Sequence, residues 1–295
     1  MAGGPGPHNS VELRKMIDKV QDRAKELWAG FGIVYPDEIY HYTTFDTASK
    51  ILKSGIQRAY GVSSMSDQTE FRYSIAIVRK VMTSRWNELP VRLTDDFRSR
   101  DNMGFERDWD MYAACFCTEA DLPSQWCAYG DKGMGLAIGF RASALHHFGG
   151  QSGAFDVIPM QYDAEHLRKT VEQLCDTALQ LDAPHQLTYK EAEQFWSEVM
   201  VALLNFAIRF KEPRFQREHE WRIVTPDVHE PPRISHSVSE QGRKFVKRNF
   251  IPELVSRIIV GPCVSEALER DLRILLDSNG FGDTSIQRSA ITFRC

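Results

Sequence analysis

The strongest local feature of the chain is the run Arg217-Glu218-His219-Glu220-Trp221-Arg222. If a strand starts here, its period of two puts Glu218, Glu220 and Arg222 on one face. Three charges leading into an apolar strand are costly to bury unpaired. Two readings follow: a solvent-exposed strand edge with a Glu–Arg ladder, or a pair of carboxylates in a cleft, one or both catalytic. Two further groups carry potential chemistry. His41, in Tyr40-His41-Tyr42-Thr43-Thr44, is either a satisfied structural histidine or a ligand-binding one. Trp126 and Tyr129 fall one helical turn apart, as core anchors or as a flat wall for a planar ring.

Composition limits what those residues serve. Thirty-six basic residues against forty acidic ones give a net charge of −4, which argues against a generic nucleic-acid scaffold and leaves room for a local basic patch. The most apolar run, 199–210, is broken by Asn205 and Arg209 and is shorter than the roughly 20 residues needed to span a bilayer, so no membrane segment is expected. Residues 1–9 are Gly/Pro-rich without an apolar core; they read as a disordered tail and not as a secretory signal. Six cysteines are scattered. Only Cys115 and Cys117 are close, and C-x-C without a second Cys or His pair is a poor zinc signature, so no metal is expected. Reduced thiols and a cytoplasmic location are the expectation.

The elements that must position these groups come from hydrophobic periodicity. Ser10 caps a helix over 10–29, with Leu13, Met16, Ile17, Val20 and Ala24 on one stripe. A strand over 38–43 and a helix over 45–52 ending at Gly55 follow. Ser66 or Asp67 caps a helix running to Trp86, and 90–110 is polar loop. Short β-type runs at 113–118, 134–140 and 155–162 precede two helices, about 163–181 and 188–211. Strands return at 221–225, 244–250, 257–261 and 285–294, with a helix over 265–278 before the last. Helices and strands intersperse without β-α-β alternation, which predicts one α+β domain over 10–295 with a mixed or antiparallel sheet and a helical insertion at 163–211. Neither the dinucleotide-binding nor the P-loop glycine motif occurs.

Four ordered blocks resemble an uncharacterised bacterial family, a domain of unknown function. They are Ile39-Tyr40-His41-Tyr42-Thr43; Trp126 to Tyr129 with Gly135 and Phe140; Lys211, Phe215, Glu218, Glu220, Trp221 and Arg222; and Ser289-Ala290-Ile291-Thr292-Phe293-Arg294 after Ile258-Ile259-Val260-Gly261-Pro262. The E-x-E-W-R block is the most specific. Ser66-Asp67-Gln68-Thr69-Glu70 departs from the family's N-D-P-F-E, and Thr292 stands where a proline is typical.

The order of blocks is also similar to ADP-ribosyltransferases, whose fold is a split, mixed β-sandwich with flanking helices. That resemblance implies NAD as substrate, with ADP-ribose transferred to an unknown acceptor or NAD hydrolysed. His41 would hold the ribose or adenosine side, Glu220 would bond the nicotinamide-ribose 2′-OH, and Glu218 would orient the acceptor. Tyr42, Trp126 or Tyr129 would stack on nicotinamide, and Arg217, Arg222 or Lys211 would offset pyrophosphate charge. Breaking the N-glycosidic bond passes through an oxocarbenium-like cation, the difficulty glycosidases meet with paired carboxylates. Two rivals stand beside this reading: a non-catalytic nucleotide-sensing or protein-interaction module of a bacterial defence or toxin system, and a Mg²⁺-dependent phosphodiester enzyme using Asp67, Glu70, Glu218 and Glu220.

Overall fold

A computed structural model describes residues 9–62, 68–85, 87–88, 110–182, 187–227 and 235–292. Residues 1–8 of the tail expected at 1–9, most of the loop at 90–110, Ser66, Asp67 and Trp86, and Phe293 and Arg294 of the closing block lie outside the described residues, as does the Glu70 side chain; Asn9 already belongs to the first helix. Contacts group the chain into two compact units, Met1–Ile33, Ser66–Trp109 and Gln161–Gln216 in the first, and Val34–Met65, Asp110–Met160 and Arg217–Cys295 in the second. The helices expected as an insertion into one domain therefore join the N-terminal helix in a unit of their own.

The first unit is helical: α1 (Asn9–Ala29), α3 (Gln68–Ser84), α6 (Ala164–Asp182) and α7 (Tyr189–Ala207). The stripe read from sequence is buried on α1 at Leu13, Met16, Ile17 and Val20. It packs with Leu167, Val171 and Leu174 of α6 and Phe195, Val199 and Leu203 of α7. Each fully buried side chain of this size contributes roughly 1.5–3 kcal/mol before entropy is counted. A capping box starts α7. The Thr188 hydroxyl accepts from the Glu191 N–H, and the Glu191 carboxylate accepts from the Thr188 N–H at 2.9 Å.

The second unit is an α+β arrangement around a mixed, open sheet. Its strands are β1 (Glu38–Thr43), β2 (Ile56–Gly61), β3 (Asp110–Cys117), β4 (Leu136–Arg141), β5 (Asp156–Pro159), β6 (Glu220–Asp227), β7 (Ser237–Val238), β8 (Lys244–Asn249), β9 (Val255–Val260) and β10 (Ser285–Arg288). Only β9 and β10 run parallel among the pairs described. The helices here are α2 (Phe45–Ser54), α4 (Pro123–Ala128), α5 (Ala142–Ser152) and α8 (Glu266–Ser278). The sequence pattern predicts no β2, β7, α4 or α5.

The sheet branches at β3. One edge of β3 pairs with β6 along its length, from Asp110↔Asp227 to Cys117↔Glu220. The other edge is shared: β2 takes its start at Tyr112 and Ala113, and β1 takes its end at Cys117. Between those contacts β1 and β2 part, leading into the half-sheets β1-β4-β9-β10 and β2-β8-β7. Gly135 helps bring β4 in beside β1, since a Cβ there would stand 2.2 Å from the Thr43 carbonyl oxygen. Among the described residues, no helix is long and apolar enough to cross a membrane.

Candidate functional site

Register fixes which of the chemistry-bearing residues meet. Tyr40 of β1 pairs with Cys117 of β3, and Cys117 pairs with Glu220 of β6, so the three form one lateral row on one face. The next residue on that face of β6 is Arg222, paired on one side with Cys115 and on the other with Ile158 of β5. Glu220 and Arg222 are 6% and 3% exposed. The guanidinium grips the carboxylate as a fork, with Nε to Oε1 at 2.6 Å and Nη2 to Oε2 at 3.1 Å. A bidentate pair of this kind keeps a buried carboxylate charged and aimed, since its charge is offset where water is excluded. The exposed Glu–Arg ladder is therefore overturned. The two charges pair along one strand, inside the protein.

Glu218 is not on that ladder. It ends a 3₁₀ turn, Pro213–Glu218, and β6 starts only at Glu220. His219 between them sits at φ 44°, a left-handed conformation uncommon outside glycine. The period-two argument therefore fails at its first residue, because the backbone turns at His219. Glu218 nevertheless acts at the site: with Glu119 and Glu220 its charge adds to burial in pushing the Cys117 thiol up to about 11. Cys117 is thus a neutral thiol beside Glu220 and no thiolate nucleophile.

His41 belongs to the opposite face. Side chains alternate along β1, so His41 turns away from Tyr40 and toward Phe116, whose ring centroid is 5.4 Å from the imidazole. The expectation that His41 and Glu220 face one cleft is overturned by this register. His41 fills the split instead. Its Nδ1–H donates to the Cys115 carbonyl at 2.9 Å, on the stretch of β3 edge that neither β1 nor β2 covers, and its Nε2 lies 3.3 Å from the Gln57 amide nitrogen. A carbonyl only accepts, so Nδ1 holds the proton and Nε2 receives the Gln57 N–H.

Burial holds the His41 imidazole below its usual range, with the bond to Cys115 pulling the other way. An unfolded imidazole takes up a proton below about pH 6.5, and the folded one resists it. The stability is therefore present above that pH and is lost as pH falls toward the folded value. His41→Asn, whose amide can still donate to Cys115, is expected to flatten this loss between about pH 6.5 and 5. Urea denaturation of both proteins at each pH reads it, and equal slopes would assign the titration elsewhere.

The aromatic residues are held in place from the same face as Glu220. Tyr42 is 6% exposed, donates to the Glu119 carbonyl at 2.7 Å, and accepts from the Leu122 N–H at 3.0 Å. Trp126, fully buried on α4, donates to Asp121 at 2.6 Å and meets Tyr42 edge-on with centroids 4.8 Å apart. Asp121 also accepts from the Ser289 hydroxyl and the Ala290 N–H, both at 2.7 Å, which ties the C-terminal segment to the same cluster. Tyr129, at the end of α4, is 51% exposed. Trp126 and Tyr129 thus do not form one flat wall: one anchors the loop after β3 and the other faces solvent.

Sequence reasoning missed Tyr40 and Glu38. Tyr40 donates to the Glu38 carboxylate, and Arg257 of β9 binds the same carboxylate with Nε at 3.1 Å and Nη2 at 2.8 Å. Burial alone would raise the Glu38 pKa, but the hydrogen bonds from Tyr40 and Arg257 lower it on balance. The period of two in β1, which puts Glu38, Tyr40 and Tyr42 on one face, was the available signal. Of the cysteines, 115, 117, 127 and 175 are free, whereas Cys263 is disulfide-bonded, a departure from the fully reduced expectation.

No curated protein and no solved structure matches the chain. A family model described as a protein of unknown function, DUF2971, matches residues 125–223, a span that starts beside Trp126 and takes in Glu218, Glu220 and Arg222, and the match supports a relationship to an uncharacterised domain-of-unknown-function family.

Proposed function

We propose that the chain is an NAD-consuming enzyme of ADP-ribosyltransferase type, with its site on the face that carries Tyr40, Cys117 and Glu220. The observation that supports this most is the Glu220–Arg222 fork: a buried, charged carboxylate at a split in a mixed sheet. A fixed carboxylate stabilises an oxocarbenium-like transition state most where water is excluded. Glu220 accepts two bonds from Arg222, which aim its carboxylate. Tyr40 takes the place on β1 that the sequence reading gave to His41. Glu218, turned off the strand at His219, suits an acceptor-orienting role.

The non-catalytic reading draws support from the closed fork itself and from the burial of Tyr42 and Trp126, which leaves their rings to the core. Nicotinamide release separates the two. The full chain incubated with NAD, with and without a crude acceptor mixture, is expected to release nicotinamide. Glu218→Gln is expected to lose transfer to acceptor while plain hydrolysis persists, because water needs no orienting carboxylate. Absence of nicotinamide under every condition would leave the binding module as the better account.

A further inference from the structure

The half-sheet β2-β8-β7 carries a set of cations for which the proposed glycosidic chemistry has no use. Arg58 of β2 pairs with Lys247 of β8, and Tyr60 pairs with Phe245, so these four side chains share one face. The Arg58 guanidinium lies over the Phe245 ring at 4.6 Å, and that of Arg243, just before β8, lies over Tyr60 at 4.5 Å. Arg58 and Lys247 are exposed, Arg243 is half-buried and donates to Gln241, and among the described residues none of the three has a carboxylate partner. Glu240 in the hairpin turn pairs with none of them.

We propose that this face binds the phosphodiester backbone of a single-stranded nucleic acid. Guanidinium planes stacked on rings are held flat and present their N–H edges outward, which lowers the entropy cost of gripping phosphate. Four residues of extended chain separate Arg243 from Lys247, about 13 Å. Three cations over that length exceed what the adjacent charges of one pyrophosphate use, and they suit a repeating backbone. Cations spaced along a pleated sheet face fit a single strand laid across it better than a duplex groove. With a net charge of −4 the chain as a whole does not attract nucleic acid, so such binding rests on a local patch. The inference does not depend on NAD chemistry.

Fluorescence anisotropy of the full chain with a labelled oligo(dT) strand and with a hairpin duplex tests it. Three phosphate contacts predict an affinity for the strand that falls about 20-fold between 50 and 200 mM salt. Lys247→Glu, at an exposed residue, is expected to weaken binding about tenfold with melting unchanged, and Arg58→Gln/Lys247→Glu by more. Failure of the wild type to bind at 50 mM salt would overturn the proposal. So would equal affinity in the variants, or binding of the duplex as tight as that of the strand.

Discussion

Glu220→Gln is expected to lower nicotinamide release by on the order of 10²–10³-fold while the KM for NAD changes little. The reasoning turns on when the charge is needed. In the ground state NAD presents Glu220 with a hydroxyl, which an amide also satisfies. In the transition state the ribose ring becomes cationic, and only the carboxylate answers that charge, so the loss falls on kcat. The surroundings of Glu220 set a complication. The amide can still accept one bond from Arg222, but its NH₂ then faces a second guanidinium N–H, donor against donor. Some loss of stability therefore accompanies the loss of rate. Rates are to be compared per folded molecule, with denaturation followed in parallel. If folded Glu220→Gln releases nicotinamide at the wild-type rate, the fork is architecture and the catalytic assignment falls.

Much of the scaffold was legible because long, strongly periodic segments have little choice. The stripe on α1 and the inward row of α7 bury the residues their 3.6 spacing selects. The elements missed were those whose local signal is weak. Strand β2, Ile-Gln-Arg-Ala-Tyr-Gly, carries a charge and ends in glycine, and α5 contains Gly149 and Gly150, poor helix formers. Losing β2 hid both the branch at β3 and the cation-bearing face.

The site was legible by residue type and misread by geometry. Glu220 and Arg222 were singled out, yet the turn at His219 removed Glu218 from their face, and such a backbone turn leaves no mark in a pattern of charges. His41 stood out by chemistry and proved to be on the opposite face, filling the split. Its neighbour Tyr40, plainer in sequence, shares the row of Glu220. A one-residue shift along a strand exchanges faces, and register depends on a partner strand nearly 80 residues away, which local spacing does not encode.

Arg222 offers the test of what the buried pair costs and what it does. Arg222→Met removes the fork and leaves the buried Glu220 carboxylate without its guanidinium partner. Breaking a buried pair from one side is expected to destabilise the fold by about 3–5 kcal/mol, because the remaining charge keeps its desolvation cost and loses its compensation. It also favours the protonated acid, so residual nicotinamide release should shift its dependence toward higher pH. Glu220→Leu/Arg222→Met removes both charges together. If desolvation dominates, the double variant recovers most of the lost stability, to within about 1–2 kcal/mol of wild type, and the two substitutions couple strongly in a double-mutant cycle. It is also expected to release no nicotinamide, since a well-packed apolar pair has nothing to offer a developing cation. Chemical denaturation of the three proteins, with nicotinamide assays on each, separates these effects. A double variant no more stable than Arg222→Met would show that the fork's value lies in bonds to other groups, and the account of Glu220 as a carboxylate kept charged by Arg222 would fail.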